Sequence, residues 1–117
     1  MKWTRIPTML LLLVLFPIIV IAQTTTATIS GTVSDQTGAV LPGVTVTVTH
    51  IATGEARNVV TDAAGRYRVP QLGLGEYEVK AELRGFKTTV RRGITLTVRR
   101  EAVVDIALEV GDVVQTM

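Results

Sequence analysis

The segment Val44–His50, VTVTVTH, sets valine and threonine in strict alternation. A repeat of two puts Val44, Val46 and Val48 on one face and Thr45, Thr47 and Thr49 on the other. β-Branched side chains are stiff in a helix but fit a pleated, half-buried surface. The segment is therefore predicted as a strand with one buried side. A sheet that is apolar on one face has to cover that face with a second layer, which constrains the whole chain.

The same period recurs on both sides of it. TISGTVSD, residues 28–35, sets Ile29, Gly31 and Val33 against Thr28, Ser30 and Thr32. RNVVTD, RYRVPQL, YEVKAEL, ITLTVRR and AVVDIALEV follow, with Tyr77, Val79, Ala81 and Leu83 sharing one face. In the last run Val104, Ile106, Leu108 and Val110 align toward the inside. The breaks DQTGAVLPG, IATGE, DAAG and GLGE carry the glycine, proline and aspartate of turns. Seven short strands and no helical window predict an all-β fold, a seven-stranded antiparallel β-sandwich over residues 28–110.

Two loops repeat the spacing Asp-x-x-Gly, at Asp35–Gly38 and Asp62–Gly65. A turn-opening aspartate accepts hydrogen bonds from amides just downstream, and the glycine supplies the left-handed backbone that re-enters the next strand. A calcium loop packs several Asp or Asn within a dozen residues, and neither loop does. Asp35, Gly38, Asp62, Gly65 and Gly75 of GLGE are read as structural turn residues, and no metal or other cofactor is expected.

The first 22 residues read as a signal peptide: Lys2 and Arg5, then the apolar run MLLLLVLFPIIVIA, with cleavage after Ala22. A membrane anchor is the rival reading, although a bilayer span needs roughly 20 apolar residues. Residues 23–27 form a flexible, Thr-rich leader, and residues 111–117 a tail. Without Lys2 and Arg5 the chain holds ten basic and ten acidic residues, so no field favours nucleic acid. The absence of cysteine means that an exported domain would hold together without disulfides.

Chemistry has few carriers. His50 is the sole histidine, there is no cysteine, and Ser30 and Ser34 lack a Gly-x-Ser-x-Gly elbow. His50 is expected as an exposed strand-end residue. Glu76, Glu78 and Glu82 share the parity opposite Tyr77 and Val79, so they read as solvated carboxylates and not as an acid–base pair. Tyr67 and Tyr77 are placed inside, which leaves sugar binding little aromatic surface. The first strand has no Lys and the last no Asn, so no isopeptide cross-link is expected. Between Arg84 and Arg100 lie six cations and no anion: Arg84, Lys87, Arg91, Arg92, Arg99 and Arg100. They read either as an interaction patch, for a cell-envelope glycan or another envelope protein, or as a solvated edge that discourages strand pairing.

GTVSDQTGAVLPGVTVTV followed by TDAAGRYRVPQLGLGEYEVKAELRGF resembles the carboxypeptidase regulatory-like domain family. The carriers are Gly31, Val33, Asp35 and Gly38; Pro42, Gly43 and Val44; Thr61, Asp62, Gly65 and Tyr67; Leu72, Gly75 and Tyr77; Gly85 and Phe86. The resemblance implies a prealbumin-like, Greek-key sandwich of the carbohydrate-binding-like group, without peptidase activity. Such a domain after a signal peptide looks like the N-terminal extension of a TonB-dependent receptor-like protein. That implies export to the periplasm or outer membrane of a Gram-negative bacterium, with membrane contact only through a downstream barrel. A non-catalytic structural or interaction role is the expectation, and a carbohydrate-binding module is the alternative.

Overall fold

A computed structural model of the protein describes residues 25–111 and the backbone of residues 115–116. The signal peptide, residues 23 and 24 of the leader, and residues 112–114 and 117 of the tail lie outside the described residues, while Ala27, assigned above to the leader, is buried in the first strand. Nine strands are present among the described residues: β1 (Ala27–Asp35), β2 (Thr45–His50), β3 (Ala56–Val60), β4 (Arg66–Leu72), β5 (Gly75–Glu82), β6 (Thr89–Leu96), β7 (Glu101–Val103), β8 (Ile106–Leu108) and β9 (Gln115–Thr116). One sheet runs β4-β1-β7, with β8 continuing beside β1; the other runs β3-β2-β5-β6-β9. The chain passes repeatedly between the two sheets, so strands adjacent in sequence often face each other across the core.

The core is the meeting of the two apolar faces. Ile29 and Val33 of β1, Tyr67 and Val69 of β4, and Ile106 and Leu108 of β8 lie opposite Val46 and Val48 of β2 and Val79 and Ala81 of β5. All are buried, and the alternating threonines of β2 lie on its outer side. This is the sandwich that a repeat of two requires, because only one face of each sheet is apolar.

Three details depart from the sequence reading. The strand placed at ITLTVRR begins earlier, at Thr89, and ends at Leu96. Its register against β5 shifts between Tyr77 and Val79, close to Gly93 at φ 75°. An extra residue at such a bulge inverts the alternation, so the period is lost there. AVVDIALEV is two strands, β7 and β8, and both run parallel to β1, not antiparallel. The chain arrives from the opposite sheet and lies down in the direction of β1, which no local signal encodes. Val110 is 74% exposed and only bridges Phe86, because β8 has ended at Leu108.

A buried threonine joins the β1–β2 loop to the start of the β3–β4 turn. The Thr61 hydroxyl donates to the Leu41 carbonyl at 2.7 Å and accepts from the Val44 amide at 2.9 Å. Thr61→Val keeps the shape and strands both backbone groups. The expected loss is about 2 kcal/mol, since a buried group without its partner costs roughly 1–3 kcal/mol. Urea unfolding checks it, with the midpoint falling at unchanged slope.

Candidate functional site

The two Asp-x-x-Gly loops are occupied by their own backbone. Asp35 Oδ1 accepts from the Thr37 amide at 2.8 Å, the Thr37 hydroxyl at 2.6 Å and the Ala39 amide at 3.0 Å. Asp62 Oδ1 accepts from the amides of Ala64 at 2.9 Å and Arg66 at 3.0 Å. Gly38 and Gly65 follow at φ 88° and 71°, and each amide returns to its own aspartate carbonyl. No group of three or more potential metal ligands exists among the described residues.

The Thr37 hydroxyl, with help from the Ala39 and Thr37 amides and against some desolvation, holds the Asp35 carboxyl below its ordinary range. A depressed carboxyl favours the folded state above its unfolded value and loses that contribution as pH falls. The stability gap between the wild type and Asp35→Ala is therefore expected to be full at neutral pH and to shrink below about pH 4. Melting curves between neutral and acid pH check this; a gap that widens in acid is the contrary result.

His50 is half-buried, not exposed as the sequence suggested. Its ring lies edge-on to Tyr77, with centroids 4.8 Å apart and planes at 73°. Nδ1 accepts from the Thr53 amide at 3.2 Å, so Nε2 carries the proton and donates to the Leu74 carbonyl at 3.0 Å. A Cβ on Gly75 would stand 2.7 Å from Nε2, so the glycine makes room for the imidazole. The ring thus ties the β2–β3 loop to the β4–β5 loop. Both nitrogens are engaged, which leaves no free base for a nucleophile.

The cation run is dispersed. Arg84 and Lys87 lie before β6 and Arg99 and Arg100 after it, at opposite ends of a strand of roughly 26 Å. Lys87 pairs with Glu109 at 3.4 Å and Arg92 with Glu78 at 3.4 Å. Arg91 donates to the Asp105 carbonyl and Arg100 to the Thr95 carbonyl, each at 2.8 Å. Charges that look contiguous in sequence are thus spread along the strand and largely spoken for. Glu76, Glu78 and Glu82 lie on the outer side of β5, where Glu82 pairs with Lys80 at 2.8 Å.

A concavity of about 520 Å³ lies over the outer face of the β4-β1-β7 sheet. Ser30 and Thr32 run down its middle, Arg66 and Arg68 line one side, and Val103 and Asp105 the other. The Ser30 hydroxyl donates to Glu101 at 3.1 Å, and Asp105 accepts from the Thr32 amide at 2.9 Å. Beneath it the Tyr67 hydroxyl donates to the Val104 carbonyl. Burial first, then the charge of Asp105, raises the Tyr67 phenol far above its ordinary value, so it stays protonated. A permanently protonated, hydrogen-bonded phenol under a polar groove is a strut and not an acid–base group.

Sequence reading missed two tying residues. One is Thr61, polar yet 5% exposed. The other is Arg57 of β3, whose guanidinium donates to the Pro70 carbonyl at 2.6 Å and the Gln71 carbonyl at 3.0 Å, bridging the edges of the two sheets. Gln71 sits at φ 56°, an irregularity that aims its carbonyl, and nothing in the local sequence signals it.

The profile of the carboxypeptidase regulatory-like domain matches residues 28–109. The TonB-dependent transporter Oar of Myxococcus xanthus is 39% identical over 93 residues, which are 76% of this chain and 9% of that protein's length. Among solved structures, the Bacillus anthracis TIE protein superposes with TM-score 0.60 at 20% identity, over 74% of this chain and 17% of that one. Acinetobacter radioresistens catechol 1,2-dioxygenase does so with TM-score 0.58 at 13% identity, over 76% and 53%. At such identities the likeness is one of fold alone.

Proposed function

The chain belongs to the carboxypeptidase regulatory-like domain family, and from that premise we propose that it is a non-catalytic, exported accessory domain of a TonB-dependent receptor-like outer-membrane protein. The observation that carries the reading is the use of Asp35, Asp62, His50 and Tyr67 as scaffold. Asp35 and Asp62 are taken up by turn amides, both nitrogens of His50 by loop atoms and the Tyr67 hydroxyl by Val104. General acid–base or nucleophilic chemistry needs such a group free to reach a substrate. The similarity to a TonB-dependent transporter supports the envelope setting. The enzymes that share the sandwich do so at an identity that transfers no chemistry.

Fractionation of Gram-negative cells producing the chain with a C-terminal epitope tests the setting: recovery in the periplasm or outer membrane is expected, and retention in the cytoplasm overturns it. Calorimetric titration with neutral and acidic polysaccharides tests the role. Tyr67 and Tyr77 are 4% and 3% exposed, too buried to stack on a sugar ring, so no heat is expected. Saturable heat overturns the accessory-domain reading in favour of a carbohydrate-binding module.

A further inference from the structure

A sheet edge is a row of unpaired amides and carbonyls, and folded proteins cover or blunt such rows. The β4 edge is blunted. The Asp62 amide takes the Arg66 carbonyl, the Asp62 carboxylate takes the Arg66 amide, Pro70 has no N–H and Arg57 occupies the Pro70 carbonyl. On the other edge of that sheet β7 and β8 are three residues each, and Arg91 takes the Asp105 carbonyl between them. In the second sheet β9 lies outside β6.

β3 is different. The amide of His50 donates to the carbonyl of Glu55, and the amide of Thr61 to the carbonyl of Val44. The β2–β3 register is unbroken between those pairs. Antiparallel geometry alternates, so Arg57 and Val59 direct their backbone groups toward β2, while Ala56, Asn58 and Val60 direct theirs outward. Those outward groups have no hydrogen-bond partner among the described residues. All three residues are exposed, Val60 at 64%.

We propose that this edge is a homodimer interface, with β3 pairing antiparallel to β3 of a second copy about a two-fold axis at Asn58. The free groups at 56, 58 and 60 are symmetric about that residue. The axis sets Asn58 opposite Asn58, and each Ala56 opposite a Val60 of the other copy, so every outward amide meets a carbonyl. An isologous contact needs this self-complementarity, and a central strand residue on the axis supplies it. On the outer face each exposed Val60 side chain covers an Ala56 methyl, an apolar cross-strand pair. On the inner face Arg57 stands opposite Val59, not opposite the other arginine. Its guanidinium is already turned back onto Pro70 and Gln71 of its own copy. The chain outside Lys2 and Arg5 is charge-neutral, so no net repulsion keeps copies apart.

Sedimentation of the full chain over a concentration series, up to roughly 1 mM, reads the association. A monomer–dimer equilibrium is expected, and Asn58→Pro is expected to return the protein to monomer. The substitution removes one outward amide and none that pairs with β2, a position where an edge strand accepts proline. Hydrogen exchange on the wild type gives a second readout independent of that variant's folding. The amides of Ala56, Asn58 and Val60 are expected to slow by at least about tenfold from dilute to concentrated protein, while other exposed amides do not. A monomer throughout, association unchanged in a folded Asn58→Pro, or unprotected amides at 56, 58 and 60 in the associated state each overturn the proposal.

Discussion

Gly31→Ala is expected to lower stability by about 3–4 kcal/mol, the upper end of what overpacking and backbone displacement cost. A Cβ there would stand 2.0 Å from the Val104 carbonyl oxygen, 2.6 Å from its carbon and 3.0 Å from Tyr67 Cε1. Two of these are backbone atoms and cannot rotate aside. The Val104 amide donates to the Ser30 carbonyl at 2.7 Å, and the Val104 carbonyl accepts the Tyr67 hydroxyl. Moving Val104 to admit one methyl therefore disturbs the junction of β7 and β8 and the phenol beneath the groove together. For a domain of this size the melting midpoint is expected to fall by about 15 °C or more. A variant that melts within a few degrees of the wild type refutes the close approach of β1 to that junction.

The second large effect is expected at Gly65→Val. Gly65 lies at φ 71°, where a β-branched residue is strained. Its added Cβ would also meet the Val33 carbonyl at 2.7 Å, Val40 Cβ at 2.9 Å and the Leu41 amide nitrogen at 3.0 Å. Strain and overpacking together are expected to cost about 3 kcal/mol. Gly38→Val is the internal comparison. Gly38 closes the same Asp-x-x-Gly turn at φ 88°, yet nothing lies within 4 Å of its added Cβ. Only the conformational part remains there, about 1–2 kcal/mol. Chemical denaturation of both variants checks the pair. Equal losses at the two sites are the result that defeats the argument.

That contrast marks where sequence reading stops. The two turns are the same in aspartate, glycine and spacing, and both glycines take a left-handed backbone. One packs against the β1–β2 loop and the other faces solvent, a difference set by residues distant in the chain. Arg57 is similar: from sequence it is one more charge on a short strand, and in the fold it holds two sheet edges together. The cation run shows the opposite case, since adjacency in sequence along an extended strand is separation in space.

What the amino-acid order determined alone is local. The repeat of two decides which side chains of each strand face the core, because successive residues point to opposite faces whatever the partner. Turn chemistry is local as well, since an aspartate and a glycine a few residues apart satisfy each other's backbone. The tertiary structure decided which strand lies beside which, that β7 and β8 follow β1 in parallel, which glycines are pressed against another backbone and which edge stays open. Those outcomes depend on segments brought together across many residues, where volume and free hydrogen-bonding groups exist only once the sheets have packed.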